Sequence, residues 1–309
     1  MLKNYYYNKL SIEERKTYDS MLKGYLARKR LINITSFPTQ NVVEALNNEH
    51  PELFYVRINR ILSCTGISGD SYIKPEYLYS KKEEENILAK ARNITEQLKN
   101  NDEEMTVRSV HNFFVKHIKY DEDELHSDIE KHENHSMSGV FLNSIAVCEG
   151  FSKAFMYMLS LCGIDCTCVS GSSNGEHHMW NVVSLSGRNY YIDVTNDIGA
   201  TEEGSCKPRY FYYLVTEEVM KERFTFSENF YCYSTAMNLF YRYNRVFFNK
   251  KDLKRYLSSV PKSAHTVYFQ YEGRDMTYGQ MSEFVNLWLP FRYKSIQANP
   301  RKTIYYFEK

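Results

Sequence analysis

The stretch from Cys148 to Thr195 constrains this chain more than any other part of it. Residues 146–163 read AVCEGFSKAFMYMLSLCG, and Phe151, Ala154, Phe155, Met158, Leu159 and Cys162 recur at helical spacing. That pattern predicts a helix with one buried face, beginning at or just after Cys148 and stopped by Gly163. Next, HMWNVVSL (178–185) and NYYIDVT (189–195) alternate as strands around Ser186–Gly187. A helix followed by a hairpin must bury its apolar face against the sheet, so an α+β core is expected here.

The hairpin fixes more than topology. With a two-residue loop, Leu185 faces Arg188, which sets His178 opposite Thr195 and makes Asp193 its diagonal neighbour on the same face. A three-residue loop would send the two side chains to opposite faces. An Asp beside a His fixes the imidazole tautomer and favours imidazolium. His177 competes as a base, but alternation points it to the other face.

Cys148 sits where thiol chemistry is assisted. Free N–H groups of a first helical turn and the helix dipole favour a thiolate, and the same N–H groups can hold an oxyanion. Taken alone, Cys148 is equally well explained as a buried Cys at a helix start. Its His and Asp partners give it meaning as a nucleophile.

The flanks are read more coarsely. Ser11 and Glu14 form a capping-box pattern before a helix over 11–28, with Tyr18, Met21, Leu22, Tyr25 and Leu26 on one face. Further helices are expected at 41–47, 81–99 and 106–117, and strands at 53–58 and 72–79, the latter two pairing. After Val215 the pattern gives a helix near 250–258, a strand at 265–271, a helix at 276–288 and a strand at 302–307. We place boundaries to give an N-terminal helical/α+β region (1–100), a catalytic core (101–215) and a small C-terminal α/β region (216–309).

Bulk composition removes several classes. With 39 Lys+Arg against 38 Asp+Glu, the net charge is +1, and no basic stripe for nucleic acid is present. No run approaches the roughly 18 apolar residues of a membrane helix. The first residues, MLKNYYYNKLSIEERK, lack a signal-peptide pattern, so with Met1 as the start a cytoplasmic location is expected. The seven cysteines (64, 148, 162, 166, 168, 206 and 232) are odd in number and irregular in spacing, which argues against a disulfide framework. Cys166 and Cys168 read as small buried residues on one strand face. The charged loop 121–135 carries His126, His132 and His135, yet without HExxH it reads as a solvated loop rather than a metal site. Because it precedes the nucleophile segment, it is a candidate lid.

In combination, VCEGFSKAF (147–155), GIDCTCVSG (163–171), HMWNVV (178–183) and YYIDVT (190–195) resemble the transglutaminase-like superfamily. The resemblance implies a papain-like α+β fold: a nucleophile helix packed on an antiparallel sheet that supplies His and Asp. It implies Cys148 as nucleophile, His178 as base and Asp193 as its orienter. Tyr120–Asp121 and Ser138–Gly139 also resemble features of bacterial members. Glu149, Gly150, Trp180, Asn181 and Tyr120 are the candidates for substrate-groove or oxyanion contacts. Two positions depart from the family pattern: Met179 replaces a small Ala between His and Trp, and Asn196 stands where Trp often follows Asp–x–Thr.

The resemblance further implies a thioester acyl-enzyme made from a peptide or protein amide. Water as acceptor gives a peptidase or amidase, the outcome expected here, whereas a lysine amine gives a cross-linking transglutaminase. A non-catalytic binding module on the same fold is the third reading. No calcium-loop signature is visible, and neither cofactor nor metal is expected.

Overall fold

Short polar residues start most of the helices. The side chain of Ser11 accepts from the Glu14 N–H while Glu14 reaches back to the Ser11 N–H, and this box opens α1 (Ile12–Leu26). A second box, Ser80 with Glu83, opens the helix Lys81–Leu98. In the computed structural model, residues 2–309 are described except 66–69, 125–130, 174, 200–206, 294 and 300. They fall into two compact units, one formed by 1–208 and 215–234, the other by 209–214 and 235–309.

In the first unit, chain order runs α1, β1 (Ile32–Ile34), α2 (Gln40–Glu49), β2 (Leu62–Thr65), β3 (Ser71–Lys74) and α3 (Lys81–Leu98). It continues with α4 (Glu103–His117), β4 (Lys119–Tyr120), α5 (Met137–Asn143), β5 (Ile145–Ala146) and α6 (Cys148–Leu161). Then come β6 (Cys166–Ser173), β7 (Glu176–Leu185), β8 (Arg188–Ile192), β9 (Ile198–Gly199), β10 (Lys207–Pro208), α7 (Glu217–Lys221) and β11 (Phe224–Thr225). The central antiparallel sheet has the order β11-β6-β7-β8. Along α6, Phe151, Ala154, Phe155, Met158 and Leu159 are buried, as their spacing predicts, while Cys162 is only half-buried. Phe114 of α4 contacts both Phe151 and Phe155, at 5.8 Å between ring centres. The Asn181 amide of β7 donates to the Ser152 carbonyl at 3.0 Å, tying helix to sheet inside the core.

The expected strand at 53–58 does not form. Pro51 starts a 3-10 turn through Leu53, and only Val56 makes a bridge, to Tyr77. Leu53, Phe54, Tyr55, Val56 and Ile58 are nonetheless buried, so an apolar run marked burial without marking a strand. The segment expected at 72–79 is a strand only through β3, which lies between β1 and β2.

The second unit contains α8 (Leu239–Arg242), β12 (Val246–Phe247), α9 (Lys250–Ser259), β13 (Thr266–Tyr271), α10 (Tyr278–Trp288), β14 (Ser295–Ala298) and β15 (Ile304–Glu308). Its sheet has the order β12-β13-β15-β14, parallel between β12 and β13 and antiparallel elsewhere. Strict alternation along β13 buries Val267, Phe269 and Tyr271 with Leu253, Leu257, Met281, Val285 and Phe307. Among the described residues, no helix is long and apolar enough to cross a membrane.

Candidate active site

Cys148 is the first residue of α6 and is half-buried. Of the described helices of eight residues or more, α6 alone begins without a side-chain cap. Ser11, Thr39, Ser80, Asp102, Asn249 and Thr277 cap the others, whereas the residue before Cys148 is Val147. A cap is worth about 1 kcal/mol to a helix, so α6 forgoes that stabilisation. Its first-turn N–H groups are left for an anion at the Cys148 position.

The hairpin delivers the partners. Ser186 (φ 50°) and Gly187 (φ 74°) both have positive φ, the geometry of a type I′ turn, and Leu185 pairs with Arg188 and Asn181 with Ile192. β8 ends at Ile192, one residue before Asp193. His178 Nε2–H donates to Asp193 Oδ2 at 2.8 Å. A carboxylate only accepts, so the neutral imidazole carries its proton on Nε2 and leaves Nδ1 as an acceptor. The Cys148 thiol is close enough to that imidazole to raise its pKa.

Asp193 is buried and its carboxylate is saturated with donors. Thr195 Oγ1–H donates to Oδ1 at 2.7 Å, the Asn196 backbone N–H to Oδ1 at 3.2 Å, and the Asn196 side-chain amide to Oδ2 at 2.7 Å. Burial opposes ionisation of Asp193, but His178, Thr195 and Asn196 outweigh it and hold the carboxyl below its ordinary value. Burial likewise opposes charge on His178. The Asp193 carboxylate and Cys148 prevail, pushing the imidazole up from 6.5 to about 10. Phe224 of β11 stacks on the His178 ring at 5.3 Å and 11°, with Trp180 on it at 5.8 Å and 28°. Aromatic faces of this kind favour a cationic ring.

Of the five groove and oxyanion candidates, the structure brings only Tyr120 to Cys148. Its hydroxyl neighbours Cys148 closely enough that the thiol raises its pKa and the Cys148 backbone N–H lowers it. Burial, followed by the nearby Cys148, pushes that hydroxyl well above its ordinary value, so it remains a donor. Glu149 points elsewhere: its carboxylate accepts from Lys153 at 2.7 Å, His135 at 3.0 Å and Asn47 at 3.1 Å. Burial opposes the Glu149 charge, and these partners keep it ionised, far below the usual carboxylate range. Gly150 is needed for packing rather than for substrate approach, since a Cβ there would run into the Asn134 carbonyl oxygen. Asn181 is a core amide, and Trp180 is buried against His178 and Phe224.

The remaining candidates fall outside the centre. His177 is exposed. His132 contacts the Phe54 carbonyl at 3.1 Å, and His135 lies between Glu124 and Glu149. His126 lies outside the described residues. Among the described residues no group of His, Cys, Asp and Glu is arranged to hold a metal ion. Of the expected lid, 121–124 and 131–135 are described, and it meets the start of α6 where Val147 N–H donates to the Asn134 carbonyl at 3.0 Å. Cys162, Cys166, Cys168 and Cys232 are free thiols, and burial pushes each upward, Cys168 to about 12. Cys206 lies outside the described residues.

Sequence reasoning missed Asn196 and Thr195 as donors to Asp193, having set Thr195 opposite His178 on a strand that in fact ends at Ile192, and it missed Phe224 beside the ring. The first two had a signal: Asp–x–Thr–Asn can bend back on its own Asp. Phe224 had none, because it reaches His178 through the edge pairing of β11 with β6.

Residues 89–220 match the family model of the transglutaminase-like superfamily. Solved structures similar to this chain include one described as a TGase, at 17% identity and TM-score 0.35, covering 56% of this chain and 52% of that one. A proposed cysteine protease from Cytophaga hutchinsonii is similar at 9% identity and TM-score 0.28, covering 44% and 61% of the two chains. A proposed protease from Parabacteroides distasonis is similar at 8% identity and TM-score 0.27, covering 43% and 35%. This chain spans less than two thirds of each of those solved chains. No curated protein matches it. The helix packed on an antiparallel sheet is an α+β arrangement, and the stretch that matches the transglutaminase-like superfamily model, 89–220, contains that helix and strands β6, β7 and β8 of the sheet.

Proposed function

We propose that Cys148, His178 and Asp193 form the catalytic triad of a cysteine-dependent enzyme that hydrolyses amide bonds of peptides or proteins. One observation carries this reading: the His178 imidazole, hydrogen-bonded to a buried carboxylate, neighbours a thiol at an uncapped helix start. His178 takes the thiol proton, and the two form a thiolate–imidazolium pair. The thiolate attacks the amide carbonyl carbon, and the electron pair moves to the oxygen. The Cys148 N–H and the Tyr120 hydroxyl are the donors for that oxyanion. Collapse of the tetrahedral intermediate breaks the C–N bond, the His178 proton passes to the leaving amine, and a thioester remains. Water then gives a proton to His178 and attacks the thioester, releasing the carboxylic acid and the thiol.

An amine in place of water gives transfer rather than hydrolysis, and the acceptor is read directly by experiment. Iodoacetamide is expected to label Cys148 fastest of the cysteines, with His178→Ala slowing it about a hundredfold. Equal labelling of the cysteines would overturn the assignment. Incubation with casein and a fluorescent primary amine then reports the reaction class. New fragments or released acid support hydrolysis, whereas incorporated label replaces it with cross-linking.

A further inference from the structure

Behind the site lies a second His–Asp pair. His111 of α4 and Asp197 are both fully buried, and His111 Nε2–H donates to Asp197 Oδ2 at 3.1 Å. Asp197 closes the 3-10 turn Thr195–Asp197, whose backbone is fixed by Asp197 N–H donating to the Val194 carbonyl at 3.2 Å. The two preceding residues of that turn, Thr195 and Asn196, provide three of the hydrogen bonds on Asp193. Three consecutive side chains thus face two ways, Thr195 and Asn196 onto Asp193 and Asp197 onto α4.

We infer that His111 and Asp197 are positioning residues: the pair anchors the 195–197 turn to α4 so that Thr195 and Asn196 hold the Asp193 carboxylate toward His178. The inference rests on the assignment of His178 as the base and adds two residues to it, neither of which touches the reacting atoms. Its physical ground is that a buried carboxylate cannot drift from its partner without facing apolar surroundings. The turn therefore has one place to be. Without the anchor, the donors on Asp193 lose their fixed geometry and the His178–Asp193 bond weakens.

The test is an NMR titration of the His178 ring in full-length wild type, Asp197→Asn, His111→Gln and the double variant His111→Met/Asp197→Leu. Iodoacetamide rates at Cys148 and melting temperatures are measured alongside. The double variant replaces both buried polar groups with apolar ones, a change that commonly preserves folding. In Asp197→Asn and the double variant, the His178 midpoint is expected to fall by about one unit or more and neutral-pH alkylation to slow about tenfold. His111→Gln keeps a donor for Asp197 and is expected to retain the wild-type midpoint. A folded double variant that titrates and alkylates like wild type would overturn the inference. His178→Ala measured in parallel keeps the two questions apart. If it alkylates as fast as wild type, the base assignment fails, while a shifted His178 midpoint in Asp197→Asn still reports the anchor.

Discussion

Asp193 illustrates how one carboxylate sets the state of a neighbour. Its four hydrogen bonds keep it ionised despite burial, and its charge then holds the proton on His178. The folded-state pKa of His178 lies above its ordinary value, so the pair's contribution to stability is complete below about 6.5 and is lost as pH rises through about 10. Asp193 is shifted the opposite way. Its contribution is present above its ordinary value of 3.8 and is lost on acidification below that. The imidazolium is therefore expected to persist across neutral pH, with Cys148 alkylation level through about pH 8–9 and changing near 10. Asp193→Asn removes the charge. It is expected to return the His178 midpoint toward neutrality and to cost about 10²–10⁴ in alkylation rate at pH 7. Histidine-ring NMR with parallel alkylation checks both, and an unmoved midpoint would separate Asp193 from the state of His178.

Two short elements carry the site, the Ser186–Gly187 turn and the start of α6. The turn fixes which face of β7 meets Asp193, so its length decides whether His178 and Asp193 come together. Inserting one glycine between Ser186 and Gly187 is expected to set Asp193 on the face away from His178, lowering Cys148 alkylation to the level of His178→Ala. Circular dichroism shows whether the sheet survives, and unchanged alkylation in a folded variant would remove the turn from this role. This turn was legible because register follows from loop length and a period of two, both local properties. The buried face of α6 and the capping box at Ser11 were legible for the same reason. What stayed hidden depends on the remote fold. The Asn134 carbonyl fills the space at Gly150, Glu149 turns to Lys153 and His135, and the Pro51 turn takes over an apolar run that reads as a strand. Each is decided by contacts made across the fold, which periodicity does not encode.

At the scale of the molecule, the chain leaves the first unit after 208, returns at 215 and leaves again after 234. That return matters to the site. Val215 bridges Tyr191 of β8, and β11 brings Phe224 over the His178 ring. The opening of the chain is committed to the same unit: the Tyr6 hydroxyl donates to the Cys168 carbonyl at 2.9 Å inside the core, and the Tyr6 N–H donates to Glu49. The family match spans 89–220 and so includes Cys148, His178, Asp193 and Val215 while omitting Phe224, Tyr6 and Glu49. A fragment cut to that span is expected to melt well below the full chain and to alkylate Cys148 more slowly, whereas one spanning 1–234 keeps every residue placed at the site. Thermal melts of the two fragments beside the full chain decide the matter, and equal stability would sink it. The stretch of this chain that resembles known proteins is thus shorter than the stretch whose contacts hold the site in place.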